Sequence, residues 1–546
     1  MVSKKVRLIP DDNFDVVVVG FGGAGAAAAI EAADNGARVL ALDLSVGGGA
    51  TRLSGGIVYC GGGTSVQKEA GVEDSPENMF NYMKQEAQGV VSDETLMRFC
   101  EESPGMVEWL KENGVEFDSS LCPYKASYPT DKHYLYFSGN EKAYPYNEHA
   151  KPAARGHRTV ASGLASGKVL FNSLRESALM KGVHFIPVAR VTELIMDGDD
   201  VTGVKFTALN NEPLRKLHWL ITKLTAKMGN FFPDLIGRPV DKVTDFIWKL
   251  GAEDYEVHTD AVILSAGGFA YNTEWMERYT GPYAKITPLG TGGDDGNGIK
   301  LGMSAGGAIG QMDKATSWRF ISPPEAYIEG VSVGTNGERV ANEDLYGATH
   351  SNVMVREYGA DCRLILDRTQ WIKALKQVPS QSQLFHWAMS AYLFTIGHKR
   401  ANTLEDLAKK IGVNPEGLRK TVEEYNEGIA SGKGDPHHKA DNLSSPIVKA
   451  PYYSIDISNI PNNILNGLMY PAPGLTLGGL VVNEETGNVQ TAEGKDIKGL
   501  YAAGRTAVGV CSNSYVSGLS IADAFFSGRR AGRSAAADSV EATKEN

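Results

Sequence analysis

Asp15-Val16-Val17-Val18-Val19-Gly20-Phe21-Gly22-Gly23-Ala24-Gly25 stands near the start of the 546-residue chain and runs into an alanine-rich stretch, Ala26 to Ala33. Four consecutive valines are typical of a strand that is buried on both faces, as in a parallel sheet. The glycines that follow allow a tight turn at Gly20, close approach of a pyrophosphate at Gly22 and packing of a helix on the strand at Gly25. This segment therefore predicts a strand, a turn and a helix that bind a dinucleotide.

The residues after this helix support the same interpretation. A second strand, Ala37 to Leu42, ends at Asp43, where a carboxylate can accept hydrogen bonds from ribose hydroxyls. The first residues of the helix offer free N–H groups to phosphates. A glycine-rich turn without a ligand would not account for an acid at this spacing. Residues 47–57 are also rich in glycine, which suits backbone that passes close to a flat ligand.

Length and composition limit the function classes. The chain is 42% hydrophobic and 22% charged, and its length favours two domains over one. A net charge of −11 disfavours nucleic acid, which requires a basic surface. Five scattered cysteines form no CxxC pair, so we expect neither a disulfide framework nor a metal site. The first twelve residues lack the apolar segment of a secretory leader, and we expect a cytoplasmic protein.

Glycine-rich segments return near the end of the chain, at 499–504 and 514–518, before another small-residue helix. Residues 310–460 lack such segments and carry their own helices and short strands. We therefore predict a mixed α/β (α+β) fold, in which a Rossmann-like dinucleotide-binding domain is formed by residues 1–309 and 461–546. The intervening residues 310–460 form an inserted α+β cap, or catalytic, domain.

One insertion, residues 211–250, stands apart from this pattern. Leu214, Leu217, Ile221, Leu224 and Met228 recur at helical spacing. From Leu214 to Leu250 the chain has seven Lys and Arg residues against three Asp residues, although the protein as a whole is acidic. An apolar helix face bordered by positive charge suits a membrane surface. A helical pair that packs on its own protein or on a second subunit is the alternative.

The order of these motifs resembles the fumarate reductase/3-ketosteroid dehydrogenase superfamily of flavoproteins, and the likeness covers nearly the whole chain. It rests on Gly20–Asp43, Ala266–Phe269, Thr291–Gly296, Asn336–Glu343, Thr476–Gly479, Ala502–Gly504 and Gly528–Gly532. The resemblance implies FAD as the cofactor and an active site between the FAD-binding domain and the cap. It also implies that the last helix directs its N-terminus at the flavin, where its dipole stabilises negative charge.

The resemblance assigns roles to individual positions. The cofactor-binding residues that it implies are Gly20, Gly22, Gly23, Ala24, Gly25, Asp43, Leu44, Gly49, Ala50, Thr51, Ser54, Gly55, Gly56, Ala189, Arg190, Ala266, Gly267, Gly268, Asp295, Gly504, Arg505, Ser520 and Ile521. The catalytic residues that it implies are Tyr346, Tyr515, Ser517 and Gly518. In this assignment Ser517 is the base, the two tyrosines relay the proton, and backbone N–H near Gly518 stabilises an enolate together with the Tyr515 hydroxyl.

Three departures from the fumarate reductases narrow the substrate class. Where those enzymes carry a histidine, an arginine acid and a second arginine, this chain carries Leu475, Gly347 and Tyr515. A dicarboxylate would then be buried without a partner charge, which is costly. The segment Ser514-Tyr515-Val516-Ser517-Gly518 and the nearby Tyr346 are more similar to the 3-ketosteroid Δ4-(5α)-dehydrogenases. A small apolar 3-ketosteroid is therefore the expected substrate.

Several alternatives remain open at this stage. The same groups could catalyse the reverse reaction, which saturates a steroid or bile-acid enone. They could also catalyse a Δ1-dehydrogenation. A protein of another class, a non-catalytic flavin electron carrier at the membrane, would use the basic insertion as its working surface. The sequence does not identify the electron acceptor. If residues 211–250 bind lipid, the protein is peripheral to the inner face of the membrane.

Overall fold

The computed structural model describes residue 9, residues 13–231 and residues 233–545. Its β-strands are β1 Val16–Val19, β2 Val39–Asp43, β3 Ile57–Tyr59, β4 Leu135–Tyr136, β5 Gly156–Arg158, β6 His184–Pro187, β7 Ala189–Asp197, β8 Asp200–Leu209, β9 Ala252–His258, β10 Ala261–Leu264, β11 Ile309–Gly310, β12 Ala315–Ser317, β13 Val331–Gly334, β14 Cys362–Leu366, β15 His398–Ala401, β16 Tyr452–Asp456, β17 Gly474–Thr476, β18 Gly479–Leu480, β19 Asn488–Gln490 and β20 Asp496–Ala502. Its α-helices are α1 Gly23–Asp34, α2 Gly49–Leu53, α3 Ser65–Glu69, α4 Pro76–Ala87, α5 Asp93–Glu112, α6 Tyr146–His149, α7 Ser166–Met180, α8 Glu212–Phe231, α9 Arg238–Gly251, α10 Thr273–Tyr279, α11 Asn297–Ser304, α12 Gly347–Glu357, α13 Arg368–Gln381, α14 Leu384–Thr395, α15 Leu404–Ile411, α16 Pro415–Ala430, α17 Ile464–Met469 and α18 Leu519–Glu545.

The largest sheet has six strands in the order β19-β20-β10-β1-β2-β6. Strand β1 lies inside this sheet and pairs in parallel with β2 on one side and with β10 on the other. Its four valines are buried, as a strand covered on both faces requires. Because β19 and β20 come from the end of the chain, the sheet joins both ends of the sequence. The predicted mixed α/β fold with a Rossmann-like, discontinuous domain is confirmed.

Helices α1 and α18 pack against each other through small residues. A Cβ atom on Gly528 would lie 2.4 Å from the carbonyl oxygen of Ala24, and one on Gly532 would lie 2.4 Å from that of Ala28. Both distances are far shorter than van der Waals contact, so only glycine fits at these two positions. This close packing fixes the start of α1 beside the middle turns of α18, around Gly528.

A second, antiparallel sheet in the order β13-β14-β16-β15 lies within the predicted cap. Beside it, Arg339 donates to the carboxylates of Glu343 and Asp435, and the Lys439 Nζ lies 2.9 Å from Glu343 Oε2. All four side chains are buried. Burial would raise the pKa of Glu343, but Arg339 and Lys439 hold it well below its usual range. The exact domain boundaries, 310 and 460, stay a prediction.

The insertion at 211–250 forms an antiparallel helical hairpin, α8 and α9, between two paired strands. Leu209 at the end of β8 pairs with Ala252 at the start of β9, so the hairpin leaves and re-enters at one end of that sheet. The His218 and Ile247 side chains are buried, and Ile247 packs with Val188 and Leu209. Among the described residues, no helix combines the length and the apolar character that crossing a bilayer requires.

The buried ion cluster predicts a specific loss of stability. The substitution Arg339→Met leaves two buried carboxylates with a single cation, and we expect the free energy of unfolding to fall by about 3–5 kcal/mol. Urea unfolding followed by circular dichroism measures this loss. Arg419→Met is the matched control, because its pair with Glu423 is exposed and contributes at most about 0.5 kcal/mol. Equal unfolding midpoints for the two variants would contradict the prediction.

Candidate FAD-binding and active site

The glycine turn after β1 has the geometry that the sequence predicts. Gly20 has a φ of +93°, and a Cβ atom there would lie 2.6 Å from the carbonyl oxygen of Ser265. A Cβ atom on Gly25 would lie 1.9 Å from the Gly20 carbonyl oxygen, so the helix could not approach the strand with any larger residue. At Gly22 the nearest atom to such a Cβ is 3.9 Å away, which leaves space beside the backbone for a ligand.

Asp43 lies at the end of β2, as predicted, and its carboxylate is already well supplied with donors. Its oxygens accept from the backbone N–H groups of Phe21 at 2.9 Å, Ser45 at 2.8 Å and Gly47 at 3.2 Å. Burial raises the pKa of this carboxyl group. A carboxylate has about four acceptor sites, so room for a ribose hydroxyl remains. Asp43 thus also holds the glycine turn in place.

Arg505 provides a further indication of a bound ligand. Its Nη2 lies 2.6 Å from Asp294 Oδ1, and the same oxygen accepts from the N–H of Gly268 at 3.1 Å. Its Nη1 is buried and has no hydrogen-bond partner among the described residues. A buried, charged donor without a partner is costly, and an FAD oxygen at this place would satisfy it. The residues present therefore fit the cofactor.

Some of the remaining predicted cofactor residues lie against the same turn. Thr51, in α2 with Gly49 and Ala50, accepts from the N–H of Gly23 at 3.2 Å. The Cα atom of Ala266 would lie 2.7 Å from a Cβ atom on Gly20, and a Cβ atom on Gly504 would lie 2.8 Å from that of Ala24. For Leu44, Ser54, Gly55, Gly56, Ala189, Gly267, Asp295, Ser520 and Ile521 a role in cofactor binding stays a prediction. Arg190 differs, because its exposed guanidinium contacts Asp245 and the ring of Trp248 in α9. Its side chain is thus engaged by the insertion.

Three hydroxyl groups meet between the predicted domains. The Tyr136 hydroxyl lies 3.2 Å from the Ser517 Oγ. Tyr346 is a further neighbour of Ser517: burial raises the pKa of the Tyr346 phenol, and the Ser517 hydroxyl opposes that rise. All three side chains are buried. Burial raises the pKa of both tyrosines above the ordinary phenol value. The group is therefore a chain of neutral hydroxyls that can pass a proton but not store a charge.

Tyr515 lies next to these hydroxyl groups and faces Gly518, at the end of the same loop. Its ring centroid is 6.2 Å from that of Tyr346 and 5.4 Å from that of Trp318, on which it stacks. Burial raises the pKa of the Tyr515 phenol, while a hydrogen bond from the N–H of Gly518 opposes this rise. The Tyr515 phenol and the Gly518 amide are therefore neighbours, and their assignment as an oxyanion-binding pair stays a prediction.

The surroundings of these hydroxyls are apolar. Trp318, Tyr346, Leu475 and Val516 belong to one buried cluster, and Phe320 packs against it. Arg319 follows Trp318 in the chain, but its guanidinium donates to the carbonyl oxygens of Ile457, Ser458 and Tyr470. This arginine is therefore engaged by the cap and does not face Tyr515.

The sequence by itself does not identify two residues of the site. Tyr136 was one of six tyrosines in a loop-like stretch, and nothing in its spacing distinguished it from the others. Ser138 was also missed: its Oγ donates to the carbonyl oxygen of Ser517 at 3.0 Å, and its own carbonyl accepts the Ser517 N–H. These contacts span about 380 residues of sequence, so only the tertiary structure brings them together.

The glycine turn, the unpartnered Arg505 nitrogen and the helix start at α18 define a dinucleotide-binding flavoprotein. The chain belongs to the FAD binding domain family, whose model matches residues 15–520. FAD is accordingly its cofactor, and bound FAD supplies a two-electron acceptor for hydride. The protein is an oxidoreductase of this family.

Comparison with individual proteins agrees with this family. The chain is 35% identical to the 3-oxo-5-alpha-steroid 4-dehydrogenase of Comamonas testosteroni, over 90% of this chain and 92% of that protein. It is similar to the crystal structure of the 3-ketosteroid Δ4-(5α)-dehydrogenase of Rhodococcus jostii RHA1 in complex with 4-androstene-3,17-dione, with a TM-score of 0.80, 30% identity and coverage of 98% and 99% of the two chains. The 3-ketosteroid Δ1-dehydrogenase of Sterolibacterium denitrificans shares the fold, with a TM-score of 0.67, 21% identity and coverage of 96% and 99%.

The tight packing at Gly25 predicts the effect of a single methyl group. Gly25→Ala places a Cβ atom against the Gly20 carbonyl, and we expect the turn to shift and the purified protein to lose most of its FAD. Flavin absorbance per polypeptide measures this loss. Gly105→Ala in α5 is the matched control, because its Cβ atom would meet no atom within 4 Å. Full FAD content in Gly25→Ala would show that the turn tolerates the added carbon.

Proposed function

We propose that this protein is an FAD-dependent 3-ketosteroid Δ4-(5α)-dehydrogenase that introduces a double bond beside the ketone of a small, apolar steroid. The relatives from Comamonas testosteroni and Rhodococcus jostii support this activity by their likeness over nearly the whole chain. In this proposal residues 310–460 are the cap that contributes Tyr346, and the other domain contributes Tyr515, Ser517 and Gly518.

The observation that carries the proposal is the uncharged character of the site. Hydroxyls of Tyr346, Tyr515 and Ser517 meet within an apolar cluster, and the nearby Arg319 is bonded to carbonyl oxygens. A neutral ketone can accept from the Tyr515 hydroxyl and the Gly518 N–H without bringing an unpaired charge into the interior. A dicarboxylate would bring two such charges. The geometry therefore favours a ketone as the substrate.

Each residue has a role that follows from its position. The Tyr515 hydroxyl and the Gly518 N–H bind the ketone oxygen and stabilise the negative charge that develops on it. Ser517 removes the proton from the carbon next to the ketone and passes charge into the hydroxyl chain. Tyr346 shares that chain from the cap side. The apolar wall formed by Trp318 and its neighbours excludes water from the reacting carbons.

Two other reactions use the same groups, and one measurement separates them. The reverse reaction would saturate a steroid enone, and a Δ1-dehydrogenase would act on the other side of the ketone. Anaerobic mixing of the holoenzyme with a saturated 5α-3-ketosteroid should bleach the flavin and yield the Δ4 product. If the only reaction observed is reoxidation of reduced FAD by a Δ4 enone, the reverse direction is favoured. A Δ1 product would favour Δ1-dehydrogenation.

Tyr515→Phe tests the assigned chemistry. Loss of the phenol removes one donor to the ketone oxygen, and we expect kcat to fall about 10²–10³-fold with FAD content unchanged. Steady-state turnover of a 5α-3-ketosteroid measures the effect. Tyr452→Phe in β16 is the control, because its hydroxyl makes only a long bond, 3.4 Å, to a carbonyl oxygen. An unmutated protein that turns over no 3-ketosteroid would instead favour the electron carrier.

We also propose that the hairpin α8–α9 contacts an anionic membrane surface. Leu217, Leu220 and Leu224 lie on one face of α8, and Leu224 is 70% exposed. On α9 the corresponding row is Val243, Phe246 and Leu250, of which Phe246 is 63% exposed. A row of large apolar side chains on both helices is unusual for a surface that faces only water.

The charges beside these apolar residues indicate which kind of membrane surface the hairpin would bind. Lys216 and Lys223 border the apolar row of α8, and Lys242 and Lys249 border that of α9. These cations stand on a protein whose net charge is −11, so they form a local positive surface. Anionic headgroups match this pattern of apolar residues with flanking lysines. Phe232, also in the insertion, lies outside the described residues.

The double substitution Leu224→Gln and Phe246→Gln should weaken binding to phosphatidylserine-containing vesicles at least about tenfold, since each side chain loses its apolar burial. Co-sedimentation with vesicles measures this, and binding should also fall as salt rises. Ile464→Gln in the cap, 84% exposed, is the control. A protein that stays in the supernatant with such vesicles but dimerises through this hairpin would assign the surface to a second copy.

A further inference from the structure

A dehydrogenase with neutral hydroxyls at its centre must release one proton in every turnover. The Ser517 Oγ lies 3.2 Å from the Tyr136 hydroxyl, and Ser517 is also a neighbour of the Tyr346 phenol, whose pKa it lowers against the effect of burial. The Tyr136 hydroxyl also lies 3.4 Å from the carbonyl oxygen of Ser127. A carbonyl cannot carry a proton away, so this branch ends there. The outlet must therefore lie on the Tyr346 side.

Tyr346 borders a narrow cavity that also reaches Lys125. The residues that line the cavity are Lys125, Ala126, Ser127, Phe137, Ile321, Ser322, Ile328, Glu343, Leu345, Tyr346 and Gly347. It has room for about one water molecule. Tyr346 and Lys125 thus border one small space.

Lys125 is tied to the same backbone that holds Ser517. Its Nζ donates to the carbonyl oxygen of Gly139 at 3.0 Å. The preceding residue, Ser138, exchanges two hydrogen bonds with the backbone of Ser517. The N–H of Lys125 donates to Glu325 Oε1 at 2.8 Å, which fixes the start of the side chain. The amine is therefore held beside the catalytic loop and the cavity together.

The charges around the amine permit it to change its protonation state. Burial and the neighbouring Lys142 lower the pKa of Lys125, whereas Asp344, Glu141 and Glu325 oppose this. Asp344 is buried, and its Oδ1 has no hydrogen-bond partner among the described residues. Burial raises the pKa of Asp344 as well as that of Glu141. Lys125, Lys142, Asp344 and Glu141 thus each deviate towards the neutral form.

We propose that Lys125 is the proton-relay residue that receives the substrate proton from Tyr346 across this cavity, an inference that rests on the proposed dehydrogenation. The C–H bond next to the ketone breaks, and its proton goes to Ser517 while the Ser517 proton passes to Tyr346. The Tyr346 proton passes through one water to the neutral Lys125 amine, which becomes an ammonium. The electron pair left on carbon forms the new double bond as the next carbon loses its hydride to bound FAD.

The direction of the pH dependence follows from this role. Only the neutral amine accepts a proton, so the rate of flavin reduction in a single turnover should rise with pH through the pKa of Lys125. Lys125→Met should slow this step about 10²-fold or more at the upper end of the range and should remove the rise. Rapid anaerobic mixing of the holoenzyme with a 5α-3-ketosteroid, followed through flavin absorbance at several pH values, measures both.

Two further variants separate proton transfer from structural damage. Lys125→Arg keeps a cation that does not deprotonate, so it should be as slow as Lys125→Met. Lys151→Met is the matched control, because that amine is exposed, pairs with Glu73 and does not line the cavity. Added methylamine should restore part of the rate in Lys125→Met and none in Tyr515→Phe.

The outcomes are distinguishable. A Lys125→Met enzyme with the wild-type rate and the wild-type pH dependence would overturn the relay. So would a slow variant that keeps the rise with pH, because its defect would then be structural. A wild-type holoenzyme whose flavin no 3-ketosteroid bleaches would refute the proposed function itself, and the relay with it.

Discussion

Close contact between α1 and α18 is the constraint on which the site depends. The carbonyl oxygens of Ala24 and Ala28 lie where Cβ atoms on Gly528 and Gly532 would stand, so the two helices meet backbone to backbone. One helix begins at the dinucleotide turn and the other begins just after the loop 514–518. Their packing therefore places the helix that follows the loop 514–518 beside the helix that follows the dinucleotide turn, although about 500 residues separate the two segments.

Glu86 is a buried acid near the site, and among the described residues hydrogen bonds rather than ion pairs hold its carboxyl group. Glu86 accepts from Tyr82 and Ser514, and it also accepts from Asn140 at 2.7 Å. Asn140 in turn accepts the N–H of Tyr346 at 2.6 Å. Burial raises the pKa of Glu86. These hydrogen bonds connect Ser514 to Tyr346 through Glu86 and Asn140. They are contacts between polar groups without ion pairs, which agrees with a neutral substrate.

Charge close to the hydroxyl groups is paired: Glu343 lines the cavity beside Tyr346 and is bonded to Arg339 and Lys439. The cap holds its buried cations and carboxylates in direct pairs around Arg339, where they stabilise the fold. The hairpin α8–α9 carries exposed lysines beside exposed apolar side chains. The ion pairs stabilise the interior around Arg339, whereas the hairpin is the surface for which we propose contact with lipid.

The sequence alone determined the dinucleotide turn, the discontinuous α/β architecture and the amphipathic hairpin. These features depend on local rules: glycines at a strand–helix turn, the spacing of apolar residues and the order of motifs. It also placed Tyr346, Tyr515 and Ser517 through motif resemblance. Only the tertiary structure joined Tyr136 and Lys125 to that group, because their contacts cross between segments hundreds of residues apart. No periodicity or spacing in one chain encodes such a contact, which exists only once distant segments of the chain have packed together.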